Sequence, residues 1–598
     1  MTRSSCTTTN NDTNDDENED YYDVKPFGML FFLFDSPAEK RKYLHSRQES
    51  LGDFFASFLD DRVLMNVLEH IDDAKTLAKF TMASKMCFQY ASFDSLWKKL
   101  YLNKFGLEEA DFRRCRNWKQ LYYVKANETT LTMKKKKTKV KKKMGCLYSD
   151  ALYLPKQINN LEIKKTWVES FTVPEIDCSS GEKRTLADEE SIESRFREEF
   201  ENKNRPVVLR GLAKEWRAIE KWKTNDALLN EYGDETFLVG GYRTSLKNYL
   251  SYCLRENDTD DSKLLLFDPK VAKEEMWTEN TEIFEEGGLF HNLFSKDGDY
   301  FKVLGEEKRP HYKWVIFGPN RSGSTFHVDP NGTSAWNAVL RGRKKWILFP
   351  NDEVPPGVFP SEDNASVVCP LTPLEWYENF YDTLLSCGDD DEGEETSKRA
   401  YHFQETICEA GDVIFVPSQW WHCVVNLPPE HDDQDQDEED RNVHLALTAN
   451  FISRSNMPTV LKILDSKNSN LVSGYDDKTQ RRSLGEAFEK RMREMYPEIL
   501  EDARKQRART TKKEIAPPQK QKRVVASAKT TENANNVTKK PRGENANENN
   551  TKNKISTTTI FSQHQQEQHT SSFAFSFWAK EEETNDTTTQ ANTDTTNT

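Results

Sequence analysis

The sequence predicts an α+β protein, in which a small all-α unit precedes a larger sheet-rich domain with flanking helices, between two polar termini. Three observations carry this expectation. Apolar residues recur at helical spacing from Leu51 to Leu100. Short runs of apolar and β-prone residues occupy Trp314-Val315-Ile316-Phe317, Trp346-Ile347-Leu348-Phe349 and Val413-Val416. Both ends are dominated by Thr, Asn, Asp, Gln and Lys, compositions that cannot bury enough apolar surface to offset the entropy of ordering.

Taken in order, residues 1–25 are expected to be disordered. Residues 51–128 then carry the helical pattern, with Phe54, Phe55, Phe58 and Leu59, Val63, Leu64, Val67, Leu68 and Ile71, Leu77 and Phe80, and finally Trp97, Leu100 and Tyr101 on apolar faces. So few short helices bury little surface alone, which makes a partner plausible. A linker over residues 129–154 contains the basic run Lys134 to Lys143. Residues 155–460 form the sheet-rich domain, opening with a strand at Arg205 to Gly211 and a short helix from Leu212 to Trp222. Leu484, Phe488 and Met492, spaced by four before Pro497, predict a helical extension over 461–508. Residues 509–598 read as a disordered tail, and no internal repeat suggests a solenoid.

The candidate chemistry begins with histidine followed two residues later by an acid. With 11 histidines and 99 acids, chance supplies about two such triplets, so the pattern alone decides nothing. Three occur. His70-Ile71-Asp72 lies in a helical pattern, where residues two apart diverge, and His431-Asp432-Asp433 lies in an acidic loop. Only His327-Val328-Asp329 is flanked by strand-like runs, and on an extended chain both side chains reach one face. Downstream, Gly411 to Pro417 reads as a turn, a buried strand and a break, after which Ser418-Gln419-Trp420-Trp421-His422 can bring His422 back to that pair from the end of a hairpin. Two histidines and one carboxylate leave open positions on a six-coordinate metal.

Residues Trp314 to Phe349 and Gly411 to Phe451 resemble the Jumonji-C family of iron- and 2-oxoglutarate-dependent oxygenases, and within it the phosphatidylserine-receptor-like branch of arginine demethylases and lysyl hydroxylases. The likeness rests on Gly318-Pro319-Asn320-Arg321-Ser322-Gly323-Ser324-Thr325-Phe326-His327-Val328-Asp329-Pro330, on Asn331 to Asn337, and on Gly342-Arg343-Lys344-Lys345-Trp346. It implies a double-stranded β-helix of the cupin or jelly-roll type. It also implies that His327, Asp329 and His422 ligate Fe(II), and that Lys344 pairs with the distal carboxylate of 2-oxoglutarate. Ser324 and Thr448 would supply hydroxyls and Asn337 would line the same site. Strict strand alternation would favour Thr325 over Ser324. Leu265 stands where the branch tends to have a tyrosine, which removes one hydroxyl. The implied reaction consumes 2-oxoglutarate and O2 and hydroxylates a C–H bond of a protein side chain, either as a stable lysyl alcohol or, next to a methylated nitrogen, as loss of formaldehyde.

Leu59-Asp60-Asp61-Arg62-Val63-Leu64-Met65-Asn66-Val67-Leu68, with Ser84-Lys85 and Ser95-Leu96-Trp97-Lys98-Lys99-Leu100, resembles an F-box, although the proline that often opens one is missing. That likeness implies a Skp-type adaptor of a cullin ubiquitin ligase as a partner. Two other functions compete with the oxygenase: a ubiquitin-ligase substrate receptor whose barrel only binds its target, and a zinc hydrolase. The full ligand set and Lys344 weigh against the first, and Lys344 with the absence of a placed general base near His422 weighs against the second.

The net charge of −15 argues against broad nucleic-acid binding, the basic linker excepted. The acidic stretches Asp389 to Glu395 and Asp432 to Asp440 would attract a Lys- or Arg-rich peptide such as a histone tail if they stand at the pocket mouth, and otherwise serve as solubilising insertions. Ten scattered cysteines suggest neither a zinc ribbon nor a disulfide framework. The N-terminus lacks a signal pattern, and Met29 to Phe34 is too short to cross a membrane. The basic run, with Lys539-Lys540-Pro541-Arg542 as a weaker second signal, points to the nucleus first and the cytoplasm second, in keeping with a chromatin regulator.

Overall fold

The computed structural model describes residues 23–25, 61–108, 110, 115, 117–127, 146–158, 161–179, 184–254, 260, 262–269, 288–294, 299–386, 401–429, 438–465, 469–475 and 478–515. The apolar positions Phe54 to Leu59, the basic run, the first acidic stretch, His431 and the C-terminal import signal lie outside them.

Seventeen strands are described. They are β1 (Asp23–Lys25), β2 (Cys146–Tyr148), β3 (Glu175–Asp177), β4 (Val207–Arg210), β5 (Thr236–Val239), β6 (Tyr242–Ser245), β7 (Leu266–Asp268), β8 (Lys313–Pro319) and β9 (Gly323–His327). Then come β10 (Ser334–Arg341), β11 (Arg343–Phe349), β12 (Phe359–Pro360), β13 (Val367–Val368), β14 (Gln404–Cys408), β15 (Val413–Val416), β16 (Trp421–Leu427) and β17 (Val443–Phe451). Nine of them form one sheet in the order β3-β4-β15-β10-β17-β8-β7-β5-β6, and four form a second in the order β14-β11-β16-β9. The inner faces of these two sheets pack on one another as the expected jelly roll. Val208, Ala335, Val339, Ile414 and Val416 from the large sheet meet Trp346, Leu348, Cys408 and Val424 from the small one.

Alternation along β11 sets this arrangement. Lys344, Trp346 and Leu348 point inward, whereas Ile347 and Phe349 join an outer cluster with Trp376, Tyr377 and Tyr381. Both faces of the strand are therefore buried, which is why the run reads as continuously apolar. The two consecutive lysines divide between those faces. Lys345 forms a fully buried ion pair with Glu405 at 2.8 Å, and Tyr381 also donates to that carboxylate. Glu405→Ala would strand the Lys345 ammonium and is expected to destabilise the protein by about 3–5 kcal/mol in a urea melt.

The hairpin joining β10 to β11 turns at Gly342, whose φ is +82°. A Cβ there would stand 2.0 Å from Nδ1 of His444, the atom that accepts the backbone N–H of Arg343 at 3.1 Å. Gly342→Ala is therefore expected to cost at least roughly 1–3 kcal/mol, the scale of a strained backbone position, read by chemical denaturation.

The helical module comprises Asp61–Glu69, Ala74–Ala83, Lys85–Ala91, Asp94–Phe105 and Trp118–Asn127. It does not stand apart from the sheet-rich domain as a separate unit. Leu77, Trp97 and Tyr101 belong to one continuous apolar cluster with Trp216, Phe317 and Phe451 on the outer face of the large sheet. Lys98 crosses that boundary to Asp260 at 2.7 Å, and both side chains are buried. Too few helices to hold a core alone have thus borrowed the sheet's outer face.

Other boundaries also move. The stretch 1–25 ends in β1, which pairs in parallel with β2, so the end of the expected linker is a strand followed by the helix Asp150–Ile158. The helix expected from Leu212 to Trp222 is confined to Arg217–Lys221, because the backbone N–H of Ala213 is taken by the carbonyl of Gly411. Leu484, Phe488 and Met492 are buried on the helix Lys478–Met495, as their spacing requires, against Phe301 and the helix Met457–Leu464. A final helix, Pro497–Ile515, runs beyond residue 508, where the tail was expected to begin. No helix among the described residues is long and apolar enough to cross a membrane.

Candidate metal and dicarboxylate site

His327 ends β9 and His422 is the second residue of β16, directly opposite it in the antiparallel register. His422 therefore opens the return strand instead of ending the hairpin. The turn before it is completed by Gln419 at φ +66°. Asp329 lies two residues beyond His327, where the chain leaves the strand in extended conformation. One ligand atom from each of the three residues lies within 4.8 Å of the others, and the imidazole centroids are 4.1 Å apart. The competing triplet at His70 is not such a site: its ring bonds the Asn66 carbonyl at 2.7 Å, while Asp72 pairs with Lys99.

The donor set fits a divalent cation. Nδ1 of His327 donates to the Thr325 carbonyl at 2.7 Å, and Nδ1 of His422 donates to the Trp420 carbonyl at 3.0 Å. Each bond fixes the tautomer that carries its lone pair on Nε2. Desolvation pushes His327 down to about 3, helped by the neighbouring His422, and burial pushes His422 down to about 4, so both rings are neutral at physiological pH as ligands must be. Burial raises the Asp329 carboxyl, and its Oδ2 is buried without a hydrogen-bond partner. A buried, unmatched carboxylate oxygen beside two neutral imidazoles is costly unless a cation completes it.

Ser324 shares the face of His327 because of an irregularity that strict alternation misses. His422 pairs with His327 but Val424 pairs with Ser324, so three steps on β9 span two on β16. This bulge turns Ser324 to the same side as the inward-facing Val424. The hydroxyl of Thr325 lies instead by Cys369, in the outer cluster.

Lys344 lies deeper. Leu348 is opposite His422 and Lys344 is opposite Asn426, so four residues of strand, about 13 Å, separate the two levels. The residue is 3% exposed, and its ammonium donates to the Asn426 amide oxygen at 2.8 Å, with no carboxylate partner among the described residues. Burial pushes it down to about 7. Asn337 and Thr448 face it from the large sheet as a cross-strand pair. Oδ1 of Asn337 is buried without a partner, as is Nε1 of Trp346 on β11. Thr448 departs from expectation, since its hydroxyl already donates to the Trp336 carbonyl at 2.7 Å and here offers only lone pairs inward. Leu265 is buried beside Gly318 and brings no hydroxyl.

Three residues of this site were not singled out from the sequence. Asn426 lies four positions after His422 on one strand, so alternation from the histidine would have found it. Asn450, two residues after Thr448, stabilises the charge of Asp329 and donates to Thr333 at 2.8 Å. Ser322 has no pattern of its own.

The cupin-like domain family matches residues 193–457. Arginine-specific demethylase JMJ22 of Arabidopsis thaliana is 34% identical over 483 residues, covering 81% of this chain and 83% of that protein. Bifunctional arginine demethylase and lysyl-hydroxylase psr-1 of Caenorhabditis elegans is 30% identical over 348 residues, 56% of this chain and 73% of that one. The 2-oxoglutarate and iron-dependent oxygenase JMJD4 of Danio rerio is 25% identical over 262 residues, 39% of this chain and 55% of that one.

Proposed function

Because the chain belongs to the Jumonji-C, cupin-like family of iron- and 2-oxoglutarate-dependent oxygenases, we propose that it hydroxylates an arginine or lysine side chain of a protein substrate. The observation that carries this reading is the pairing of a compact His-Asp-His set with a buried cation that has no carboxylate partner among the described residues. His327, Asp329 and His422 hold Fe(II). Lys344, with Ser324 and Asn337 around it, holds the distal carboxylate of 2-oxoglutarate.

When bound, the metal and co-substrate supply the oxidation: 2-oxoglutarate and O2 become succinate and CO2, and one oxygen atom enters a substrate C–H bond. The chain's own residues do the rest. The two carbonyl-bound imidazoles and Asp329 fix the ligand directions. Trp346, Leu348, Ile414 and Val424 line a dry wall between the metal level and Lys344, which excludes water from the reacting atoms.

Both relatives that cover most of their own length carry names for arginine demethylation, and one of them also for lysyl hydroxylation. Those outcomes differ only in the carbon attacked. A hydroxyl on a methyl group bound to nitrogen collapses to formaldehyde and N–H, while one on a lysine carbon persists. Purified enzyme with Fe(II), ascorbate, 2-oxoglutarate, air and an array of methylated and unmethylated peptides should give either a loss of about 14 mass units on a methylated peptide or a gain of about 16 on an Arg- or Lys-containing one. Succinate formation with neither change on any Lys- or Arg-rich peptide would reject this substrate class. Lys134 to Lys143 supports nuclear delivery, where Lys- and Arg-rich histone tails would be candidate substrates.

The F-box likeness supports a second role, adaptor binding through the helix Asp61–Glu69. Val63 and Val67 on that helix are 45% and 52% exposed, while Leu64 and Leu68 are buried. Since the module shares its core with the sheet, the test is a surface change: Val63→Lys/Val67→Lys should abolish co-purification with a Skp adaptor and spare succinate formation. Retained co-purification rejects the assignment.

A further inference from the structure

The dicarboxylate anchor is supported by a directional chain of neutral groups. Lys344 donates to Oδ1 of Asn426 at 2.8 Å. Nδ2 of Asn426 donates to Oγ of Ser322 at 2.9 Å, and the Ser322 hydroxyl donates to the Pro319 carbonyl at 2.6 Å. Ser322 has one proton, and the carbonyl takes it. Ser322 can therefore only accept from Asn426, which forces the amide to present its oxygen to Lys344. All of these side chains are buried.

Taking the proposed oxygenase reading as given, we propose that Asn426 is a positioning residue that aims the Lys344 ammonium while leaving its charge uncancelled, so that the lysine stays available to an incoming dicarboxylate. An aspartate of the same shape would hold the lysine at least as well, yet it would fill the anion's place with an internal carboxylate. The other groups facing Lys344 are neutral too. Cys408 is opposite it on β14, and burial pushes that thiol up. His444, on β17, is pushed well down by burial and by the nearby Lys344, Arg341 and Arg343. The Asp412 carboxylate beyond Cys408 is engaged by Arg210. The anion site is thus built from one cation and neutral donors and acceptors.

This predisposition has a proton signature. Lys344 is pushed down to about 7 in the absence of an anion, so 2-oxoglutarate must bind a protonated fraction that shrinks above that pH. The native protein, saturated with Mn(II) so that the metal ligands are already deprotonated, should bind 2-oxoglutarate about tenfold more weakly at pH 8 than at pH 6, taking up protons as it does so. In Asn426→Asp the internal carboxylate holds the lysine protonated. Affinity at pH 7 is expected to fall at least tenfold, with flat pH dependence and almost no proton uptake by calorimetry in buffers of differing ionisation enthalpy.

The loss should fall on KM for 2-oxoglutarate rather than on kcat. Ser322→Ala, which removes the nearer of the two acceptors that hold the Asn426 amide and leaves only the Pro319 carbonyl, should weaken binding severalfold and serves where the aspartate variant does not fold. Native affinity and native pH slope in both folded variants, or in Ser322→Ala alone if Asn426→Asp is unfolded, would overturn the role of Asn426. Failure of the native protein to bind 2-oxoglutarate, or binding indifferent to Lys344→Met, would instead overturn the oxygenase reading beneath it.

Discussion

His327→Ala and Asp329→Ala are each expected to reduce conversion of 2-oxoglutarate to succinate to background in an assay with Fe(II) and ascorbate. Groups that merely orient a metal ligand are worth about 10–100-fold, so loss of a ligand itself should exceed about a hundredfold. The two variants should differ in stability. Asp329 contributes a buried, unmatched carboxylate oxygen whose burial is unfavourable without a cation, so Asp329→Ala should melt no lower than the native apoprotein. His327→Ala removes an imidazole hydrogen-bonded to the Thr325 carbonyl and in contact with His422, and it should melt lower. Turnover persisting in both variants rejects the site.

Lys344→Met is expected to move co-substrate affinity and stability in opposite directions. Truncating one member of a buried, hydrogen-bonded charge pair costs about 2–5 kcal/mol, so KM for 2-oxoglutarate should rise at least about thirtyfold. In the apoprotein there is no pair to break. The ammonium is buried against a neutral amide, and replacing it by a thioether of similar length removes the charge-burial penalty at the smaller cost of leaving the Asn426 amide oxygen without its donor, so the fold should melt higher at pH 6. The sign with pH follows from its lowered folded value. Below about 7 both folded and unfolded chains hold the lysine proton and the burial penalty is fully present. Between about 7 and the ordinary lysine value the unfolded chain binds the proton and the folded chain does not, so native apoprotein stability rises with pH. The advantage of Lys344→Met should therefore be greatest near pH 6 and fade as pH rises. An apoprotein destabilised by Lys344→Met at pH 6 would mean that the ammonium already has an anionic partner.

What could be read from the sequence depended on whether a feature is local to one strand. His327 and Asp329 were legible because i and i+2 share a face, and Lys344 only through the family resemblance; the structure adds that it alternates with the inward Trp346 and Leu348. The apolar runs gave a sheet-rich domain and the family resemblance the jelly roll, and the sheet order bears both out. The position of Ser324 was not legible from alternation, because the bulge exists only in the pairing of β9 with β16. The Thr448 hydroxyl was assigned inward, whereas the nearby Trp336 carbonyl captures its proton. The helical module looked like a separate unit because chain order places a basic run after it. Only the three-dimensional packing reveals that Trp118 meets Tyr252 at a tilt and Lys98 reaches Asp260 across the boundary. Part of the second acidic stretch is likewise structural: Asp440 accepts from the backbone N–H of Asn225 at 2.6 Å, and its carbonyl accepts from Arg341.

The most direct measurement is a crystal grown without oxygen and soaked with Fe(II) and 2-oxoglutarate. One iron per chain is expected, bound by Nε2 of both histidines and a carboxylate oxygen of Asp329, with the distal co-substrate carboxylate on Lys344. A pocket left empty at saturating metal and co-substrate, or iron held elsewhere with His422 turned away, would contradict it.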